Sequence, residues 1–338
     1  MLIKYLALLV LWCVLAIRAD DIHGRYCTAF GGSPGTCLPI KECPELEEIS
    51  NSPTIPPEVK NIILRGSVCP GPGSSGFFCC EEIANAEGIR KLNQTDTCGI
   101  YNGSDAGTEK ESQEISMPWM ALLIYEDAEK NNSSTGIRGC AGTLITEKFV
   151  LTAANCLFLN GMELKQVRLG NHGTQYVSYG IEKTIVHDRY ENPSQLYNIA
   201  LVKLAGTVEY TENIRPICLP FDNEVRVKAY LDKSYKTIGW GQTENFEFTN
   251  DLMMASLQPI NAFRCDYSKT VFCLGDAETC VPNIGSPLMN TYTVNGLQRA
   301  VQAGVANTFI SRCGTGGPVA YTNLGEYIPW ISRQIVKV

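Results

Sequence analysis

The chain of 338 residues is poor in histidine, in charge and in long apolar runs. Its only imidazoles are His23, His172 and His187, so any histidine-based chemistry must draw on those three. Charged residues make up 19% of the chain, the net charge is −7, and no block is rich in Lys or Arg. A nucleic-acid partner is therefore not expected. Beyond residues 1–19, no stretch approaches the roughly 18–20 apolar residues of a membrane-spanning helix, so no span is expected. The cysteine-rich first part of the chain has no C-x2-C pair and only His23 nearby, which leaves little to hold zinc.

Apolar residues make up 44% of the chain, enough for a sizeable core. The length fits two domains or one large one. At the N-terminus, Lys4, the apolar run Leu6–Leu15 and the small residues around Ala16–Ala19 form a secretory signal pattern. Residues 1–19 are expected to be removed after Ala19, giving a secreted, extracellular chain that starts at Asp20. The alternative, a membrane anchor, fails because the run is too short.

Cysteine usage points to the same oxidising compartment. Of fifteen cysteines, Cys13 goes with the signal and fourteen remain. Six fall between Cys27 and Cys80 and eight from Cys98 onward, an even number in each part. N-glycosylation sequons stand at Asn93, Asn102, Asn131 and Asn132. The adjacent pair Asn131 and Asn132 leaves room for one glycan.

Residues 20–80 are expected to form a small module stapled by three disulfides, since a domain this short buries too little apolar surface alone. Spacing alone does not choose among the fifteen pairings of six cysteines. A short helix is expected around Pro57–Leu64. Residues 81–97 are polar and read as a linker, with Arg90-Lys91 as a candidate processing site. From Cys98, short apolar runs alternate with turns: Trp119–Tyr125, Gly142–Ile145, Phe149–Ala153, Gln166–Gly170, Ile199–Leu204, Lys236–Gly239 and Ala300–Ala306. This spacing predicts an all-β barrel or sandwich. Apolar positions at Ile328, Trp330, Ile331 and Ile335 predict a C-terminal helix.

Specific motifs identify what these parts resemble. The spacing Cys27-x9-Cys37-x5-Cys43-x25-Cys69-x9-Cys79-Cys80 resembles the CLIP domain of arthropod proteases. Pro118–Leu122, Cys140–Ile145, Phe149–Cys156, Asn198–Leu204, Arg215–Pro220, Gly239-Trp240-Gly241 and Cys280–Leu288 resemble, in order, the signature stretches of trypsin-like serine proteases. Residues 98–338 therefore resemble a chymotrypsin-like fold of two six-stranded antiparallel β-barrels with a C-terminal helix. The resemblance implies the pairings Cys27–Cys79, Cys37–Cys69, Cys43–Cys80, Cys98–Cys218, Cys140–Cys156, Cys265–Cys273 and Cys280–Cys313.

The positions that would carry the chemistry depart from the family pattern. A triad needs a nucleophile, a base and an orienting carboxylate, with backbone N–H donors for the oxyanion. The resemblance puts Asn155 at the base, Asn198 at the carboxylate and Ile284 at the nucleophile. Pro282 stands where an oxyanion-hole glycine is expected, and proline has no N–H. Asn283 replaces the aspartate that pairs with a newly cut N-terminus, and no Arg-Ile-Val-Gly-Gly-like stretch lies between Cys98 and Pro118. Glu278 aligns with the base of the specificity pocket, while Phe309 and Val319 replace pocket glycines. No carboxylate lies in Gly170–Gly180, so no calcium is expected there, and no cofactor or metal is expected elsewhere. With all fourteen mature cysteines paired, no thiol nucleophile remains.

The expected function is binding without catalysis, as a cofactor or regulator of an extracellular innate immune cascade in haemolymph. The resemblance implies partners among cascade proteases, prophenoloxidase or complement-like proteins, with melanisation, Toll signalling or deposition on microbes as the setting. Two alternatives stand beside it. One is an active serine hydrolase with a rearranged site, for example around Ser286. The other is a protein that binds microbial surfaces with no cascade role.

Overall fold

The computed structural model describes residues 26–28, 34–53, 55–69, 75–81, 86–101, 117–127, 137–159, 161–171, 175–192, 195–242, 248–260, 271–275, 283–307 and 318–337. The expected signal, residues 1–19, lies outside them. The chain divides into two compact units, Met1–Ile83 and Ala84–Val338.

The first unit is a three-stranded antiparallel sheet, β1 (Tyr26–Thr28), β2 (Pro34–Pro39) and β3 (Phe77–Glu81), in the order β1-β2-β3. Two helices follow β2, α1 (Pro44–Asn51) and α2 (Pro57–Gly66). Proline opens α2, where its missing N–H costs nothing. Disulfides join Cys27 to Cys79, Cys37 to Cys69 and Cys43 to Cys80. The buried interior is largely these six sulfurs plus Leu46. Covalent closure of the chain thus does what a larger apolar core does elsewhere.

The second unit holds two closed barrels. The first runs β4 (Met120–Asp127), β5 (Ile137–Leu144), β6 (Phe149–Thr152), β9 (Ala200–Leu204), β8 (Gln175–Val186) and β7 (Met162–Asn171) around its circumference. The second runs β10 (Tyr235–Gln242), β11 (Phe248–Pro259), β12 (Val271–Gly275), β15 (Val319–Asn323), β14 (Leu297–Ala306) and β13 (Pro287–Val294). All pairs within them are antiparallel. The barrels follow from alternation: inward side chains such as Val150, Val167, Leu169 and Val202 form a dry interior, and closure leaves no bare sheet edge. The tight turn between β13 and β14 is Asn295-Gly296, both with positive φ, a pairing that hairpin turns favour. A further helix, α4 (Asn223–Leu231), is capped by Asp222, whose carboxylate accepts the N–H groups of Glu224 and Val225.

The segment expected as an extended linker is built differently. It contains helix α3 (Ala86–Leu92), which packs on the C-terminal helix α5 (Ile328–Lys337). The apolar residues Ile89 and Leu92 stand three apart and join the core that contains Tyr327, Ile331 and Ile335. Glu87, Arg90 and Lys91 occupy the exposed face. Charge on that face is what made the segment look like a solvated tether. Gly88 allows the close approach, because a Cβ there would overlap the backbone of Ser332. Beyond α3, Gln94 accepts from the Tyr210 hydroxyl at 2.8 Å and donates to Glu147 at 3.2 Å. A disulfide then ties Cys98 to Cys218.

Substituting Gly88 tests this packing. Gly88→Val should lower stability by roughly 1–3 kcal/mol through overpacking, read as a fall in Tm by circular dichroism. An unchanged Tm would mean that α3 does not lie on α5.

Candidate functional site

Four segments meet where the two barrels face each other. Asn155 sits in the 3-10 turn Ala154–Leu157 just after β6, and Asn198 lies two residues before β9. Ile284 is in a tight turn ahead of β13, and Asn307 directly follows β14. The first pair belongs to one barrel and the second pair to the other.

The turn Asn283–Ser286 is closed by the Ser286 N–H, which donates to the Asn283 carbonyl at 3.0 Å. Gly285 has φ +84°, a left-handed conformation that glycine adopts without strain. Any side chain there would strike the Ala141 carbonyl of the other barrel. Ala141 in turn donates its N–H to the Ile284 carbonyl at 2.8 Å, and Gly285 donates to Ala306 at 2.9 Å. Asn283 Oδ1 accepts the Trp240 N–H at 2.9 Å. The turn is thus held by neutral hydrogen bonds on every side. The Ile284 side chain is 6% exposed and packs into the apolar core.

Facing it is a chain of amides. The Asn155 N–H donates to Asn198 Oδ1 at 3.0 Å. Asn198 Nδ2 donates to Asn307 Oδ1 at 2.7 Å and to Gln195 Oε1 at 2.9 Å. Asn155 Nδ2 donates to the Asn307 carbonyl at 3.2 Å, and Asn307 Nδ2 to the Gln195 carbonyl at 3.2 Å. Thr322 completes the cluster by donating to the Asn198 carbonyl at 3.0 Å. Gln195 holds its place with φ 58°, outside the usual range for a side-chain-bearing residue. Nothing in this cluster has a proton affinity useful near neutral pH.

Sequence and structure comparisons bear directly on this geometry. The trypsin family model matches residues 107–331, and the model of the regulatory CLIP domain of proteinases matches residues 27–80. The chain belongs to the trypsin family. Its relatives include serine protease grass of Drosophila melanogaster, 29% identical over 96% of this chain and 94% of that protein. Melanization protease 1 of the same organism is 27% identical over 96% of this chain and 98% of the relative. The crystal structure of the Drosophila Grass clip serine protease of the Toll pathway superposes with a TM-score of 0.69 at 26% identity, covering 93% of this chain and 98% of that one.

The candidate positions lie on the seam between the two barrels. Asn155 and Asn198 are brought together, and the carbonyl of Ile284 lies 3.7 Å from the sulfur of Cys156, next in the chain to Asn155. Gln195 and the side chain of Asn307 were not singled out as site residues in the sequence; no motif marks a backbone bent to deliver an amide. Val319 is buried on β15 opposite Leu274. Pro282, Glu278 and Phe309 lie outside the described residues, as do Asn102, Asn131, Asn132 and residues 172–174 of the segment weighed for calcium. Of the pairings in the second unit, Cys140 is joined to Cys156; Cys265, Cys280 and Cys313 lie outside. Asn93 is exposed at the end of α3.

Two sequence expectations meet obstacles. Arg90 is exposed but helical, and proteases take extended substrates, so the bond after it is protected unless α3 melts. Ser286, the candidate for a rearranged nucleophile, is fully buried. Its Oγ and the Nδ2 of Asn283 find no protein partner.

His187 is the one described imidazole, and it lies in the core at 6% exposure. Its ring stacks on Tyr197 with centroids 5.3 Å apart and contacts Tyr327 and Trp330. Nδ1 accepts the Arg189 N–H at 3.2 Å. Burial pulls its pKa down to about 4; Asp188 opposes that shift, while Arg189 and Arg333 add to it. The folded state therefore favours the neutral ring, and that contribution is complete above pH 6.5 and lost as pH falls toward 4. Stability should drop by about 3 kcal/mol at most across that window, and His187→Phe should flatten the drop in urea titrations. An unchanged slope would disprove the assignment.

A second expectation concerns Asn283. Asn283→Asp places a carboxylate in a buried turn with one N–H donor. It should cost roughly 2 kcal/mol or more at neutral pH, shrinking on acidification as the carboxyl protonates. A variant as stable as the native chain at neutral pH would refute the neutral-turn description.

Proposed function

We propose that this chain is a secreted, non-catalytic member of its family that acts by binding other proteins of an extracellular immune cascade. One observation carries the proposal: at the seam where catalysis would occur, Asn155, Asn198, Gln195 and Asn307 hydrogen-bond to one another. The base and carboxylate positions are thereby committed to a structural network of neutral amides. Ile284 offers no nucleophile, and proline at 282 offers no N–H to an oxyanion. Loss of one such donor alone weakens transition-state binding by roughly 3–4 kcal/mol, and loss of a triad member costs orders of magnitude more.

The setting rests on the relatives, one named for melanization and one placed in the Toll pathway. Extracellular location agrees with the buried disulfides of both units. No helix among the described residues is long and apolar enough to cross a membrane. The reading as a rearranged hydrolase draws no support from Ser286, which no substrate can reach, or from His187, whose ring is walled in by aromatics.

The purified full chain should stay unlabelled by a fluorophosphonate probe at high protein concentration. Added to haemolymph plasma, it should change the rate of cascade protease activation, and Ile284→Ser should change it equally. Covalent labelling of the native chain would overturn the proposal.

A further inference from the structure

Away from the seam, a cavity of about 250 Å³ opens between α3, the β5–β6 turn, β9 and α5. Its walls include Lys91, Lys148, Lys203 and Glu147, and its apolar lining is Phe149 and Ile335. Three ammonium groups from three separate elements on one hollow stand out in a chain of net charge −7. The row extends across the sheet. Phe149 is in register with Lys203, and Lys203 with Lys183. Directly opposite residues on antiparallel strands project to the same face, so Lys183 continues the line beyond the cavity.

The lysines already hold carboxylate oxygens. Lys203 pairs with Glu182, and Lys91 with Glu87 at 3.4 Å. Lys91 and Glu87 are both about half exposed, so Glu87 is an exchangeable counter-ion; Lys203 is 13% exposed beside a half-exposed Glu182. Lys148 is exposed and has no carboxylate partner among the described residues. The one carboxylate of the lining, Glu147, accepts a hydrogen bond from the Gln94 amide at 3.2 Å.

We propose that this cavity binds an anionic saccharide, a sugar ring bearing sulfate or phosphate esters. Ammonium groups act as point charges that suit single oxyanions. A mostly polar lining of lysines with Thr146 and Glu147 suits the ester oxyanions and hydroxyls of a pyranose, and the volume accommodates about one ring. Sulfated host glycans and phosphate-bearing microbial glycopolymers share this chemistry. The site is separate from the seam and does not depend on whether the seam is catalytic.

The test uses the full secreted chain and two fluorescent probes, a heparin tetrasaccharide and purified wall teichoic acid, with binding followed by anisotropy. At least one probe should bind in low salt and weaken at physiological ionic strength. The triple variant Lys91→Gln, Lys148→Gln, Lys203→Gln should weaken it about tenfold or more. Lys148→Glu, which removes no buried contact, should weaken it in the same direction with an unchanged melting curve. Lys165→Gln with Lys228→Gln, two lysines in exposed ion pairs elsewhere, should bind as the native chain does. Selective binding of one probe identifies the source of the saccharide. Equal binding by native and Lys148→Glu chains, equal loss in the control, or no binding of either probe would overturn the site.

Discussion

The second unit hangs on one tight turn. Asn283–Ser286 crosses from one barrel to touch the other, and it does so with Gly285 pressed against the Ala141 carbonyl. The contact leaves no space for a Cβ and needs a left-handed backbone, two demands that a single residue type meets. From that point the hydrogen bonds radiate. Ala141 reaches Ile284, Ala306 reaches both Gly285 and Ser286, and Trp240 reaches Asn283. Elsewhere along the seam, Thr143 and Gln302 join across the barrels at 2.7 Å.

That frame is independent of the reaction for which the family uses it. The amide cluster makes a demand on the backbone: side chains from the segments just after β6, just before β9 and just after β14 must converge. Here Asn307 supplies both a side-chain oxygen and a carbonyl, so Asn198 stays satisfied without a cation or an imidazole beside it. A buried carboxylate in the same place would need such a partner. Neutral amides relax that requirement, so the four side chains can converge without a buried charge to balance.

Much of this was legible in the sequence, and unevenly so. Strands with one strongly apolar run, β4 at Met120–Tyr125 and β9 at Ala200–Leu204, were plain because their residues are buried almost throughout. The long strands β8 and β11 gave no such run; exposed polar residues such as Ser178, Glu182, Lys183, Thr184, Ser256 and Gln258 interrupt their apolar ones. They were expected only through family resemblance. Helix α3 was hidden because its exposed face carries the charges, and its packing depends on Gly88 meeting a helix far along the chain. At the site, Asn155, Asn198 and Ile284 were marked by the motifs around them. Gln195 and the side-chain role of Asn307 were not, since hydrogen bonding between distant loops leaves no local pattern.

The contact of α3 with α5 also shapes how the second unit comes together. Its earliest helix, at residues 86–92, finds its partner only in residues 328–337. Emerging from the ribosome, this segment has no surface to dock on until nearly the whole chain is made. Long-range closure of that kind raises contact order and slows folding. It leaves Ile89 and Leu92 exposed meanwhile, a hazard for chaperones to cover. The tether is therefore a late element of assembly, locking the unit once both barrels exist.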